Sequence, residues 1–359
     1  MGNPFLRRAY AGYLIARGLS NVTRTPRAID TAPAMPRTPP PTAAAPPRKA
    51  EAAPLPPMAK TRLFGIDVCV ISYDEAIARI IAWSKTVPAR TVVTTNLDHV
   101  MKLKKDPVFR RCYDEADMVT ADGMPFVWLA KHEGVPLKDR VTGSDLIEPL
   151  MAAAAREGRS VFLFGSTMER LHGAAKILKA RHPRLEFRGA YAPPFGFERD
   201  PELHAELLSM IRTARPDIIL VALGAPKQEI WANGMADAVR HGVFVSIGGG
   251  LDFISGDIKR APDIMRRTGT EWLWRALTEP ARLGPRYAKI VAALPGLYRA
   301  HKRDREEHEA ADRRRAMAVL SDERFRAVRE SARETDSAAA AAEATDTFPP
   351  ERTPQHPPR

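Results

Sequence analysis

The sequence predicts an α/β fold: a parallel sheet flanked by helices, with a smaller N-terminal lobe and a helical C-terminal appendage. Three observations carry this. The stretch Pro216–Pro262 holds two short apolar runs, Asp217-Ile-Ile-Leu-Val-Ala-Leu-Gly224 and Val243-Phe-Val-Ser-Ile247, separated by a helical segment, the pattern of a buried parallel β-α-β unit. Ser160-Val-Phe-Leu-Phe164 is a further buried strand that turns through Gly165-Ser166-Thr167 into a helix. Finally, chemistry gathers where strands end: Gly224, Pro226, Lys227 and Gln228 follow one run, and Gly248, Gly249, Gly250 and Asp252 follow the next. Ligands of open parallel sheets sit beyond those carboxyl ends. Small residues admit a ligand to the backbone, and Lys, Gln and Asp supply a cation, an amide and a carboxylate. Two tight turns would account for the same residues.

The remaining elements follow in chain order. Residues 1–57 are rich in Pro, Ala and Arg, a composition that does not build a core and predicts a disordered tail. Arg7 and Arg8 precede a short apolar run closed by Arg17, without a convincing cleavage site. A membrane-surface segment, or a true start at Met58, stays open. Leu63–Ile71 alternates as a strand. Ser72 with Glu75 three residues on marks a helix start, and that helix runs to about Lys85. Thr91–Thr95 is a strand ending at Asn96, and Leu97–Lys104 and Asp106–Ala116 are helices, the second opened by Asp106-Pro107. Met118–Ala121 is a strand ending at Asp122-Gly123, and Pro125–His132 a helix. Arg140–Asp145 leads into an Ala-rich helix ending near Gly158, and after Ser160–Phe164 come a helix to about Arg181, a strand over Leu185–Tyr191 and a helix over Pro201–Ala214. From Ile264, cations alternate with Trp272, Trp274 and Tyr287, as two helices broken near Pro280. The domain plan is a core over 58–262, a basic and aromatic appendage over 263–300, a charged helix over 301–334 and a disordered tail over 335–359.

Composition bounds the function. The chain has 359 residues, 44% of them hydrophobic, and a formal charge of +12, which calls for an anionic partner: a phosphate-bearing substrate, anionic lipid or nucleic acid. Cys69 and Cys112 make neither a disulfide framework nor a zinc set. No apolar run nears the roughly 20 residues that span a bilayer, so the chain reads as soluble or peripheral.

Strand ends converge, so Thr94, Asn96, Asp122, Gln228 and Asp252 can share one crevice. Asp122 follows an apolar strand, where burial raises a carboxyl toward the range of a general base; capping the next helix is the competing role. Thr94 and Asn96 are ligands for a polyhydroxylated substrate or turn residues. His99 and His132 have no metal-ligand spacing and read as core or solvated histidines. Gly165-Ser166-Thr167 reads as a structural turn rather than a phosphate loop, since no G-x-G-x-x-G or Walker pattern accompanies it. There is no D-x-D motif to hold a metal against a diphosphate. Arginines of segment 266–286 would have to meet that charge, unless they form only a solvated face.

These pieces, in order, resemble a known family. Thr94-Thr-Asn96, Asp117-Met-Val-Thr-Ala-Asp122-Gly123, Arg140-Val-Thr-Gly-Ser-Asp145, Gly224-Ala-Pro-Lys-Gln-Glu229, Gly248-Gly-Gly-Leu-Asp252-Phe253, Ser255-Gly256, Lys259-Arg-Ala-Pro262, Glu271-Trp-Leu-Trp-Arg275 and Glu279-Pro-Ala-Arg282 are similar to the WecG/TagA/CpsF glycosyltransferases, family 26, over about residues 62–300. The resemblance implies a Rossmann-like core and an inverting β-glycosyltransferase without metal or cofactor. It would move N-acetylmannosamine, its uronic acid or glucose from a UDP-sugar to a polyprenyl-diphosphate-linked saccharide, on the cytoplasmic face of the bacterial inner membrane. A non-catalytic nucleotide-sugar-binding or scaffold subunit is the alternative. By resemblance Asp122 is the base, Thr94, Asn96 and Gln228 line the sugar and acceptor pocket, and Asp252 meets the nucleotide. Arg275, Arg282 and Arg286 close over the diphosphate. Pro285-Arg286 stands where the family often has paired arginines. Peripheral membrane contact is implied, nucleic acid is not, and a homo-oligomer stays open.

Overall fold

A computed structural model describes residues 55–135, 137–256, 261, 262, 264, 265 and 270–345. Strands are β1 Lys60–Leu63, β2 Ile66–Cys69, β3 Arg90–Thr95, β4 Met118–Ala121, β5 Ser160–Gly165, β6 Glu186–Tyr191, β7 Ile218–Ala222 and β8 Val243–Ser246. Helices are α1 Tyr73–Trp83, α2 Leu97–Leu103, α3 Pro107–Asp114, α4 Met124–His132, α5 Gly143–Arg156, α6 Met168–Arg181, α7 Pro201–Ala214, α8 Lys227–Val239, α9 Gly250–Ile254, α10 Glu271–Thr278 and α11 Pro280–Thr345. The chain forms two compact units, Met1–Leu297 and Tyr298–Arg359. The first holds both sheets. The described part of the second is helical and carries i,i+4 pairs such as Arg305–Glu309 at 2.8 Å. Among the described residues no helix is long and apolar enough to cross a membrane.

The α/β expectation holds. Six strands run parallel in the order β4-β3-β8-β7-β5-β6. Alternation along the strands sorts the core into two layers. Val161, Leu163, Ile218, Leu220, Val243 and Val245 pack with Ile80 of α1, Leu146 and Leu150 of α5 and Leu171 of α6. Phe162, Phe164, Ile219, Val221 and Phe244 pack with Leu207 and Ile211 of α7 and Trp231 of α8. Phe164 stacks on Trp231 with ring centroids 3.7 Å apart. At the amino ends, carboxylates pin neighbouring strands: Asp217 Oδ2 accepts from the Ser160 N–H and hydroxyl, both at 2.8 Å, and Asp117 Oδ2 accepts from the Thr91 N–H at 2.8 Å.

The single strand expected over Leu63–Ile71 is instead the turn and second arm of an antiparallel hairpin, with Leu63 paired to Ile66 and Lys60 to Cys69. Both turn residues are left-handed, Phe64 at φ 52° and Gly65 at φ 73°, the geometry of a two-residue hairpin turn. Phe64 tolerates it because its ring packs edge-on against Phe126, 5.0 Å away. The expected caps form. Ser72 and Glu75 make a reciprocal box at α1, and Asp106 Oδ1 accepts from the Val108 and Phe109 N–H groups, each at 3.0 Å. The break near Pro280 separates α10 from α11.

Gly165 shows how tightly the sheet closes. Its φ is +106°, and a Cβ there would stand 2.4 Å from the Ala222 carbonyl oxygen, while the Ser166 N–H donates to that oxygen at 2.8 Å. The turn after β5 is thus a packing device, with Thr167 capping α6. Gly165→Ala should lower stability by about 3 kcal/mol, read as a lower urea midpoint at unchanged slope.

Candidate active site

One cavity of about 480 Å³ opens beyond the carboxyl ends of β3, β4, β7 and β8. Thr94, Asn96, Asp122, Gln228, Asp252 and Arg286 all line it, so the predicted residues do converge from five segments. The side chains of Arg275 and Arg282 lie outside the described residues.

Asp122 is placed by the sheet itself. Its N–H donates to the Thr95 carbonyl at 2.8 Å, continuing the β3–β4 ladder one step past the last paired residues, Thr95 and Ala121. Its carboxylate Oδ2 accepts from Thr94 Oγ1 at 3.3 Å. The helix after it starts from Gly123 with no side-chain cap, so the carboxylate is not occupied in capping. Burial pushes its pKa up to about 7, and the Asp145 charge adds to this. Arg140, the Thr94 hydroxyl and the Gly143 backbone oppose it. Near neutrality both protonation states are populated.

Around Asp122 the cavity wall is fixed by buried polar contacts. The Thr94 carbonyl accepts from Tyr113 Oη at 2.6 Å and lies 3.0 Å from His99 Nδ1. Burial holds His99 down to about 4, so it is a neutral core histidine. Asn96 caps α2, its Oδ1 accepting from the His99 N–H at 3.2 Å. Gln228 is committed at both ends of its amide: Oε1 accepts from the Gly248 N–H at 3.0 Å, and Nε2 donates to Glu229 Oε1 at 2.7 Å. It therefore holds the glycine turn that delivers Asp252, whose Oδ1 pairs with Arg170 Nη1 at 3.2 Å.

The charged rim comes from α2 and α11. Asp98 Oδ2 receives Arg286 Nη2 and Lys102 Nζ, each at 2.9 Å, and Lys102 also reaches the Ala225 carbonyl at 3.0 Å. Burial alone would raise Asp98, but Lys102 and Arg286 outweigh it and keep the carboxyl below its usual range.

Several lining residues had no role assigned from sequence: Asp98, Trp128, Arg140, Thr142 and Ser144. Arg140 pairs with Asp145 at 3.4 Å, and Thr142 caps α5 through the Asp145 N–H at 3.1 Å. The Thr142-x-x-Asp145 spacing is the capping signal that could have located this corner. Trp128 had none, being one apolar residue in a short apolar helix.

Glu229 is 1% exposed, and its Oε2 has no partner among the described residues. Burial pushes its pKa up to about 7, against the Gln228 hydrogen bond and Lys102. A folded pKa above the unfolded value favours the folded state below about pH 4.5, and that stabilisation is lost as pH rises through 7. Glu229→Gln keeps an oxygen for Gln228 and should flatten part of the stability decline between pH 5 and 8, measured by chemical denaturation across that range.

The sequence profile of the glycosyl transferase WecG/TagA/CpsF family matches residues 61–307. Among curated relatives is the N-acetylglucosaminyldiphosphoundecaprenol N-acetyl-beta-D-mannosaminyltransferase of Bacillus spizizenii, 31% identical over 191 residues that cover 53% of this chain and 72% of the relative. The cavity lies wholly among elements inside the matched span. The chain belongs to the WecG/TagA/CpsF family of glycosyl transferases.

Proposed function

We propose that this chain is an inverting β-glycosyltransferase carrying a sugar from a UDP-sugar to a polyprenyl-diphosphate-linked saccharide, as a step in cell-surface polysaccharide synthesis. The observation that carries the reading is Asp122, a carboxylate on the cavity wall, hydrogen-bonded by Thr94 and with its pKa raised to about 7. A general base works best when its pKa lies near the operating pH. The acceptor hydroxyl oxygen forms the new bond to the anomeric carbon as its proton passes to Asp122. The bond from that carbon to the UDP oxygen breaks on the opposite side, and UDP leaves with the electron pair. One displacement inverts the configuration, so one carboxylate suffices.

The departing diphosphate needs positive charge where it develops. Arg286 stands at the cavity, and Arg275 and Arg282 lie on the same basic stretch; these arginines take that part. Asp252 meets the nucleotide, and Asn96 and Thr94 the sugar and acceptor. The relative's name supplies the acceptor class, a diphosphoundecaprenol saccharide, and one candidate sugar, N-acetylmannosamine; its uronic acid and glucose are the others. Such an acceptor lies in the inner membrane. Exposed Trp272, Leu273 and Leu277 on α10 suit peripheral contact at the cytoplasmic headgroup level.

Asp122→Asn should bind UDP-sugar nearly as wild type and turn over on the order of 10²-fold more slowly or worse. In the parent protein kcat should rise with pH through about 7, since the protonated carboxyl cannot accept a proton; that limb should vanish in the variant. Turnover equal to wild type would remove the base assignment. If arginines carry the leaving-group charge, activity should survive EDTA, and complete loss with recovery on adding a divalent cation would contradict it.

A further inference from the structure

The cavity has two chemically different sides. Thr94, Asn96, Asp122 and Arg140 give a polar one. The other is aliphatic and aromatic, with Met124, Pro125 and Trp128 from α4 and Ile290, Val291 and Leu294 from α11. Trp128 is 51% exposed and Val291 59% exposed, so this side leaves apolar surface facing open space.

The apolar side starts beside the proposed base. Met124 and Pro125 open α4 directly after Asp122-Gly123, and Trp128 is one turn on, about 6 Å along the axis from Met124. On α11, Tyr287, Ile290, Val291 and Leu294 recur at i, i+3, i+4 and i+7 and line the same cavity. Two helices therefore contribute apolar surface to the same cavity that Asp122 lines.

We infer that this surface binds the first isoprene units of the lipid-linked acceptor, with Trp128 as the principal contact. The inference rests on the proposed function and assigns the part of the acceptor that the polar residues do not address. The acceptor's hydroxyl must reach Asp122 while its lipid leaves the site, and the apolar route begins two residues away. A UDP-sugar is polar almost throughout and needs no aliphatic wall. Its uracil ring is the one flat group that could use Trp128, but base recognition requires polar partners at the ring edge. Met, Pro, Ile, Val and Leu offer branched aliphatic contact instead.

The test is direct binding to the full-length protein, independent of turnover. Farnesyl diphosphate should bind at least tenfold more tightly than inorganic diphosphate by titration calorimetry, and Trp128→Ala should abolish most of that preference. Val291→Asp, at an exposed position that leaves the core intact, should do the same, while Trp128→Phe retains most of it. UDP affinity should stay within about twofold in all three variants, which also reports that the site is folded. Absence of a farnesyl preference in the parent protein, or its persistence in both Trp128→Ala and Val291→Asp, overturns the assignment. Loss of UDP affinity in Trp128→Ala would identify base stacking and overturn it too. A protein that shows the farnesyl preference but releases no UDP with any acceptor would instead sink the proposed reaction.

Discussion

The parallel register of β3 against β4 and β8 is the constraint on which the cavity depends. It sets Thr94 level with Thr120 and Thr95 level with Ala121, so that the next residue, Asp122, reaches back to the Thr95 carbonyl and the Thr94 hydroxyl. On the other side Val92 is level with Val245, which brings the glycine turn after β8 to the same end of the sheet. A slip of one residue would turn Asp122 to the opposite face and break these contacts together. The amino-end brackets at Asp117 and Asp217 hold that register from the far side of the sheet. Core packing far from the cavity thus determines what chemistry the strand tips can offer.

Three carboxylates near the cavity show how surroundings set charge. Asp122 and Glu229 are both raised to about 7 because burial outweighs their partners. Asp98 is also penalised by burial, yet it ends below its usual range because two cations contact one oxygen. Desolvation acts on all three, and the number of nearby positive charges separates them. The Arg140 guanidinium is the cation that lowers Asp122, and it is itself paired with Asp145. The Arg140–Asp145 pair therefore tunes Asp122 from both directions, one partner lowering its pKa and the other raising it.

The sheet, the helix starts and the gathering of polar residues at strand tips were legible in the sequence because each follows a local rule: apolar runs, capping side chains, and chain ends of a parallel sheet. What escaped depended on distant contacts. Phe64 adopts a left-handed turn with its ring packed against Phe126, a partner far along the chain. Gln228 was expected to line the sugar and acceptor pocket. It does line the cavity, but its amide is held between Gly248 and Glu229, partners 20 residues away and next door. The approach of Asp98 to Arg286 spans about half of the chain, and no spacing in the sequence encodes it.

That last contact bears on how a cationic segment of α11 can rest against the cavity. Arg286 and Lys102 are like charges brought close together, and Asp98 between them offsets their repulsion. Asp98 is only 15% exposed and Arg286 43%, so the pair is weakened by solvent on one side and is worth about 1 kcal/mol or less. That is enough to hold the guanidinium in place, and too little to compete with a diphosphate carrying two or more charges. On the proposed reaction, Arg286 can pass from Asp98 to the leaving group at small cost, while Lys102 stays behind to neutralise the carboxylate. The weakness of the contact is then what makes it suitable: a stronger, fully buried pair would keep the cation from the charge it is needed to meet.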